Sequence, residues 1–515
     1  MGMPLLWVRI RKYTPLIAIV GFFIALSGWA FSSPVGSSPD ENFHLASTWC
    51  ASGESSGLCE STGQPNSRLV PWQLVESSCF AFEPEESATC QNHKPNWIIE
   101  GLAVSTHGNF QDNYPPVFYS VMHLFVSNSI ELSVLLMRLF NSLLFCLVVA
   151  ATWFLISSSK RKVLFWMWAG TLIPLGMFLI PSVNPSSWAI ISVGSSWLVL
   201  DAFFNQFGRK KILAGVLFAV LVVMAAGSRG DAAVYVCLSS LVVILLNFKN
   251  LLSRKLDILL PVAMGGVAAA FFFSSSQATV ASTGLYSGGE VPVWSTSEKL
   301  NLLLANAIQV PALWAGVFGM TSIGAPAVSI GNLGWLDTQM PMIVWLPALA
   351  VFITLGYMGI SKLSKPKLFS LAFVLFTLSA LPLYVLQKSY ATVGAEVQPR
   401  YLLPLIIVFL GIALLPPHDG EIALFRNKTQ LVILVSSLVI ANFVALHFVM
   451  RRFITGIDLH SPNLNAGIEW WWSGLTVQPM TVWLLATVFF AISVIAGSVA
   501  VGSKKIREQK VKTDA

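Results

Sequence analysis

The chain has 515 residues, 55% of them hydrophobic and only 11% charged, with a net charge of +7. Soluble globular proteins carry about 25% charged residues, so a soluble enzyme is excluded, and the recurring apolar runs exclude disorder or a fibrous repeat. What remains is an all-α polytopic membrane protein, whose 18 Trp and 34 Phe suit anchoring at two membrane interfaces.

Twelve apolar segments read as spans, near residues 15–32, 132–156, 163–180, 187–207, 212–227, 232–247, 257–273, 341–360, 368–387, 401–417, 429–449 and 479–501. Residues 1–14 bring Arg9, Arg11 and Lys12 to the start of the first span. Every second loop is then basic: Lys160-Arg161-Lys162, Arg209-Lys210-Lys211, Lys249 with Arg254-Lys255, Lys362 with Lys365 and Lys367, and Arg426 with Lys428. The tail, residues 502–515, is basic as well. The positive-inside rule therefore puts both termini in the cytoplasm and the alternate loops outside. This distribution explains the basic excess better than nucleic acid does. The segment 15–32 starts like a cleavable signal peptide, but its long apolar run and the eleven spans after it read as a retained anchor.

Residues 33–131 form one long polar loop holding Cys50, Cys59, Cys79 and Cys90. Four cysteines allow three pairings; proximity in sequence favours Cys50 with Cys59 and Cys79 with Cys90. Disulfides persist in oxidising compartments, which agrees with an outer location for this loop. The segments 97–104 and 115–126 read as short helices lying along the membrane. Cys146 and Cys237 fall inside the spans 132–273 and read as small buried residues. The loop 274–340 is Ser-, Thr- and Gly-rich at first, and residues 301–320 read as a re-entrant or interfacial helix. Spans resume over 341–501. The Glu469-Trp470-Trp471-Trp472 run reads as an interfacial aromatic belt.

The candidate chemistry lies in the outer loops. Asp40 and Glu41 are adjacent carboxylates just past the first span, where a low-dielectric boundary makes charge costly unless it is used. Either can serve as a general base on a sugar hydroxyl, with His44 one helical turn on to hold the carboxylate or meet a phosphate. The plainer reading is a helix N-cap, with Ser37 or Asp40 capping a helix that begins near Glu41. Tyr114 and Tyr119 flank a Pro-started helix. Arg138 and Asn141 lie in the outer half of the second span, where an Arg needs a partner among Asp40, Glu41 and Glu131. Asn184 sits in a polar hinge, and Arg229 in a tight turn with Asp231. Gln398, Arg400 and Tyr401 open the tenth span, with Lys388 on the loop before them. Arg400 suits a phosphate clamp, because a guanidinium fork binds two oxygens at once; ordinary snorkelling to lipid phosphate is the competing reading. The sequence carries no dinucleotide, Walker or zinc motif and no internal repeat.

Taken in order, Pro39-Asp40-Glu41-x-x-His44, Tyr114-Pro-Pro-x-x-Tyr119, Arg138-x-x-Asn141, Pro181-Ser182-x-Asn184, Arg229 and Gln398-x-Arg400-Tyr401-x-x-Pro404 resemble a family of bacterial multispanning proteins of unknown function grouped with the GT-C glycosyltransferases. The resemblance covers roughly residues 15–450. It implies a GT-C-like arrangement and transfer of a sugar from a polyprenyl-phosphate donor to an extracytoplasmic glycan, lipid or protein acceptor of the cell envelope. Asp40 would be the catalytic acid residue with Glu41 beside it. Arg400, Arg229, Lys388 and His44 would bind the donor phosphate. Tyr114, Tyr119, Arg138, Asn141, Asn184, Gln398 and Tyr401 would line the cavity. Where the superfamily often has a second acid in the loop after the third span, this chain has Asn184. No cofactor is required, and a divalent metal finds no clear ligand set. The alternatives are a transporter or flippase of envelope precursors and a polysaccharide polymerase or ligase.

Overall fold

A computed structural model describes residues 3–92, 98–279, 284–285, 294–321, 330–361, 363–416, 425 and 427–502, with side chains from residue 12 onward. Lys362, Arg426 and the basic tail beyond residue 502 lie outside the described residues, as do the side chains of Arg9 and Arg11.

The chain is mostly helical. It opens with α1 (Met3–Phe31) and α2 (Glu41–Trp49) and continues through a small loop subdomain: β1 (Glu60–Ser61), β2 (Arg68–Pro71), α3 (Trp72–Val75), β3 (Leu102–Ser105) and α4 (Val117–His123). The bundle follows with α5 (Ile130–Leu155), α6 (Arg161–Ala169), α7 (Leu175–Leu179), α8 (Pro185–Asn205), α9 (Gly208–Ala226), α10 (Gly230–Leu246), α11 (Phe248–Ser253) and α12 (Leu259–Phe273). It closes with α13 (Thr296–Gly316), α14 (Met342–Gly359), α15 (Lys365–Lys388), α16 (Pro399–Ala413), α17 (Lys428–Ile454) and α18 (Pro479–Val501). Among the described residues eight helices are long and apolar enough to cross a membrane, and α10 and α16 are shorter apolar helices.

Local chemistry sets the helix starts. Ser129, Asn184, Ser364 and Asn427 each accept a backbone N–H of the first turn, and Pro185 stands at the opening position of α8. Ser295 and Glu298 cap α13 reciprocally. One end of the bundle gathers the basic loops, where Lys160 pairs with Asp201 and Lys211 with Asp257. The other end carries the disulfides Cys50–Cys59 and Cys79–Cys90.

The helix α8 is the axis of the bundle: 94% of the residues in its apolar stretch are buried, against 11% in the segment Lys255–Phe273. It packs against α5, α9, α10 and α16, while α1 lies along α18. Three expectations are corrected. The stretch 163–180 is two short helices, because Gly170 ends α6 and Pro174 precedes α7. Of the stretch expected as a helix over 97–104, residue 97 lies outside the described residues and the rest contributes a strand: Leu102–Ser105 pairs antiparallel with β2, and β2 with β1. The Trp run is packed inward, with Trp470 and Trp472 buried and the Trp472 indole donating to the Phe31 carbonyl.

Candidate functional site

The link from α1 to α2 is held from below by a buried ion pair. Arg138, on α5, reaches Glu41 Oε2 at 3.1 Å and also donates to the carbonyls of Ala30, Ser33 and Pro34 and to Ser37 Oγ. Glu41 accepts the backbone N–H groups of Ser38 and Val183 at 3.0 Å each. Both side chains are shut off from solvent, at 0% and 1% exposure. Asn184 Nδ2 donates to the Pro39 carbonyl, and Asn141 joins the Ser182 carbonyl to the Trp188 indole. Four of the anticipated cavity or catalytic residues, Glu41, Arg138, Asn141 and Asn184, therefore tie the loop after α1 to the start of α8.

Asp40 faces the other way. Its backbone is left-handed, φ 59° and ψ 17°, a conformation that costs most side chains energy but that Asp adopts more readily than most. It occupies the N-cap position of α2, yet its side chain makes no capping hydrogen bond. The carboxylate instead meets Arg400 Nη2 at 2.6 Å, and Arg400 Nη1 donates to the Pro39 carbonyl at 3.1 Å. The Asp40 side chain is 46% exposed, whereas that of Arg400 is 4% exposed. The charge is thus anchored from inside and open on its other side.

Around this pair stand two tyrosines, a histidine and a second arginine. The Tyr401 ring lies 5.0 Å from the Arg400 guanidinium and 4.8 Å from that of Arg229. Arg229 also lies 5.9 Å from the Tyr114 ring, donates to Ser186 Oγ, and is clasped by both oxygens of Asp231 at 2.8 and 2.9 Å. His44 Nδ1 and the Tyr119 hydroxyl share a hydrogen bond of 2.9 Å. The helix α4, which bears Tyr119, docks through the backbone: Val117 and Phe118 N–H both reach the Gly227 carbonyl. A Cβ at Gly227 would stand 2.4 Å from the Val117 side chain, so this close approach requires glycine.

The electrostatics follow from burial and the two arginines. Burial raises the Asp40 carboxyl, but the charge and hydrogen bond of Arg400, aided by His44 and His107, outweigh it and hold it below the usual carboxylate range. Burial lowers His44 to about 3; Asp40 opposes this, while Arg400, Arg229 and His107 add to it. His44 is therefore neutral. Burial raises both Tyr114 and Tyr119, the latter strongly, so both remain protonated donors.

Beside the ion pair is a small pocket, with room for about one water molecule, lined by Pro39, Asn332, Gln398 and Arg400 among apolar neighbours. Among the described residues, Arg400 Nε, Gln398 Oε1 and Asn332 Oδ1, all on residues that line this pocket, are buried and have no hydrogen-bond partner. One unpartnered donor and two unpartnered acceptors on the residues lining one void suit a hydroxyl group, which can give and receive. Lys388 is exposed at the end of α15 with its ammonium 5.9 Å from the Tyr384 ring; among the described residues no ion pair or hydrogen bond joins it to the cluster. His107 and Asn332 were not anticipated from sequence. Neither sits in a recognisable spacing, and only folding brings them to Asp40 and Arg400. Among the described residues no group of three or more His, Cys, Asp or Glu could hold a metal ion.

Neither a curated protein nor a solved structure matches the chain. A family described as "Predicted membrane protein (DUF2142)" does match, over residues 22–409. That span runs from the middle of α1 into α16 and contains Asp40, Arg229 and Arg400, and the chain belongs to this family.

Proposed function

We propose that this protein is an integral membrane glycosyltransferase of GT-C type, moving a sugar from a polyprenyl-phosphate donor to an acceptor hydroxyl on the extracytoplasmic side. The observation that carries this reading is the Asp40–Arg400 pair, a half-exposed carboxylate held at 2.6 Å by a buried guanidinium, with Arg229 on the same tyrosine ring. The cluster lies at the disulfide-bearing end, which supports an extracytoplasmic site and cytoplasmic termini.

In this reading Asp40 takes the proton of the acceptor hydroxyl as its oxygen attacks the anomeric carbon. The bond from that carbon to the phosphate oxygen breaks, and the leaving phosphate keeps the electron pair, stabilised by Arg400 and Arg229. Attack opposite the leaving group inverts the anomeric centre. Tyr114 and Tyr119 supply protonated hydroxyls, Tyr401 lays its ring against both guanidinium groups, and neutral His44 orients Tyr119. The small pocket with Gln398 and Asn332 would take one sugar hydroxyl. Glu41 and Arg138 position Asp40 and do no chemistry, and Lys388 is not needed.

A transporter would concentrate its functional charges near the middle of the bilayer; the Asp40–Arg400 pair is at one end of the helices. The deciding experiment is glycan analysis of a deletion strain carrying wild type or Asp40→Asn at equal membrane levels. Loss of a general base typically costs about 10²–10⁴ in rate, so the transferred sugar should disappear from the envelope glycan. An unchanged glycan, with altered uptake or export instead, would reject the transferase.

A further inference from the structure

A partly open groove of about 200 Å³ lies toward the basic end of the bundle, away from Asp40 and Arg400. Its walls come from α1, α5, α6 and α18 and include Ile19, Phe22, Ala150, Trp153, Phe165 and Val494. At its mouth Leu16 is 58% exposed and Phe154 69%. These helices include three of the candidate membrane spans, so the mouth faces hydrocarbon. Water would find almost no polar partner along such walls, and an empty groove forfeits the dispersion contacts of its lining. Cations stand at the rim. The Arg161 guanidinium lies 5.0 Å over the ring of Trp153, a wall residue, and its Nε donates to the Trp153 carbonyl. Lys12 is exposed and precedes Pro15 and Leu16 by one turn on the same face of α1.

We infer that this groove is a lipid site, taking one acyl chain of an anionic phospholipid whose phosphate is met by Arg161 and Lys12. A hydrocarbon wall ending in two cations complements a molecule that is apolar along its length and negative at its head. The site is independent of the proposed transferase chemistry. Its consequence is mechanical: the chain fills the space between α1 and α5, and α1 leads directly into Asp40.

Native mass spectrometry of the full-length protein in detergent tests this, with dioleoyl-phosphatidylglycerol and dioleoyl-phosphatidylcholine as probes. One phosphatidylglycerol should be retained per chain, at concentrations at least tenfold lower than phosphatidylcholine requires. Ala150→Phe, which fills the groove, should abolish retention. Arg161→Gln should bring the two lipids close together. Equal binding of both lipids to wild type would overturn the assignment, as would undiminished retention by Ala150→Phe. A lipid-free dimer would give the groove to a second copy and overturn it too. If Ala150→Phe does not fold, the headgroup comparison and Arg161→Gln still decide. Loss of glycan transfer in Asp40→Asn together with equal binding of the two lipids would overturn this site alone; the reverse pattern would overturn the transferase alone.

Discussion

Replacing Glu41 by Gln removes a charge in the one place where Arg138 cannot recover it from water. Arg138 is 1% exposed and Glu41 fully buried, at 3.1 Å. The four neutral acceptors around Arg138, three carbonyls and Ser37 Oγ, would remain but carry no full charge. Breaking a buried pair by neutralising one partner costs about 3–5 kcal/mol, because the other charge is left uncompensated. Arg138→Met alone should cost a similar amount, since it strands Glu41. The double variant should cost less than the sum of the two, with a coupling of about 1–3 kcal/mol. Denaturant titration of the purified protein, followed by tryptophan fluorescence, reads all three variants. Strict additivity, or a Glu41→Gln protein as stable as wild type, would refute the buried pair as the support of the loop. The neighbouring Asp40→Asn should cost less than Glu41→Gln, because the Asp40 carboxylate is 46% exposed, although it leaves the buried Arg400 guanidinium with neutral acceptors alone.

The remaining predictions concern pH, sulfur and positioning. His44 is lowered to about 3 in the folded protein from an ordinary value of 6.5, so the unfolded chain binds the extra proton between these values. Its contribution to stability is fully present above pH 6.5 and falls as pH drops toward 3, at most about 1.4 kcal/mol per pH unit. His44→Gln should flatten the wild-type loss of stability between pH 6.5 and 4; equal slopes would show that His44 is not the titrating group. Alkylation of the denatured, unreduced protein should label Cys146 and Cys237, and reduction should add Cys50, Cys59, Cys79 and Cys90. Each disulfide closes a short loop and should contribute about 3 kcal/mol, measured as the shift of the denaturation midpoint on removing one pair. Gly227→Val should push α4 from its seat and impair transfer and stability together, whereas in Asp40→Asn the loss of transfer should far exceed any loss of stability.

Much of the fold was legible because a bilayer imposes rules that act along the chain. Apolar stretches mark the long helices, and basic loops mark one end of the bundle. The pairings Cys50–Cys59 and Cys79–Cys90 followed from nearness in sequence. The failures have equally local causes. Residues 163–180 have a span's composition, but Gly170 and Pro174 break the helix, and the broken piece is tolerated because neighbouring helices enclose it. Leu102–Ser105 joined a sheet because β2 supplied partners far back in the chain, from Arg68 opposite Ser105 to Pro71 opposite Leu102. The Trp run has an interfacial composition, but nothing in it specifies that Trp472 will find the Phe31 carbonyl.

By itself the sequence determined that this is a helical membrane protein, where eight of its long apolar helices lie to within a few residues, and which polar residues stand out against an apolar background. Those are consequences of transfer free energy, which each segment settles with its surroundings alone. Tertiary structure decided the division of labour between Asp40 and Glu41. Adjacent in sequence and identical in charge, they turn apart at a left-handed residue, one toward Arg138 in the interior and the other toward Arg400 and solvent. Partners 97 and 360 positions away made that choice, and pairing over such separations depends on how the helices pack.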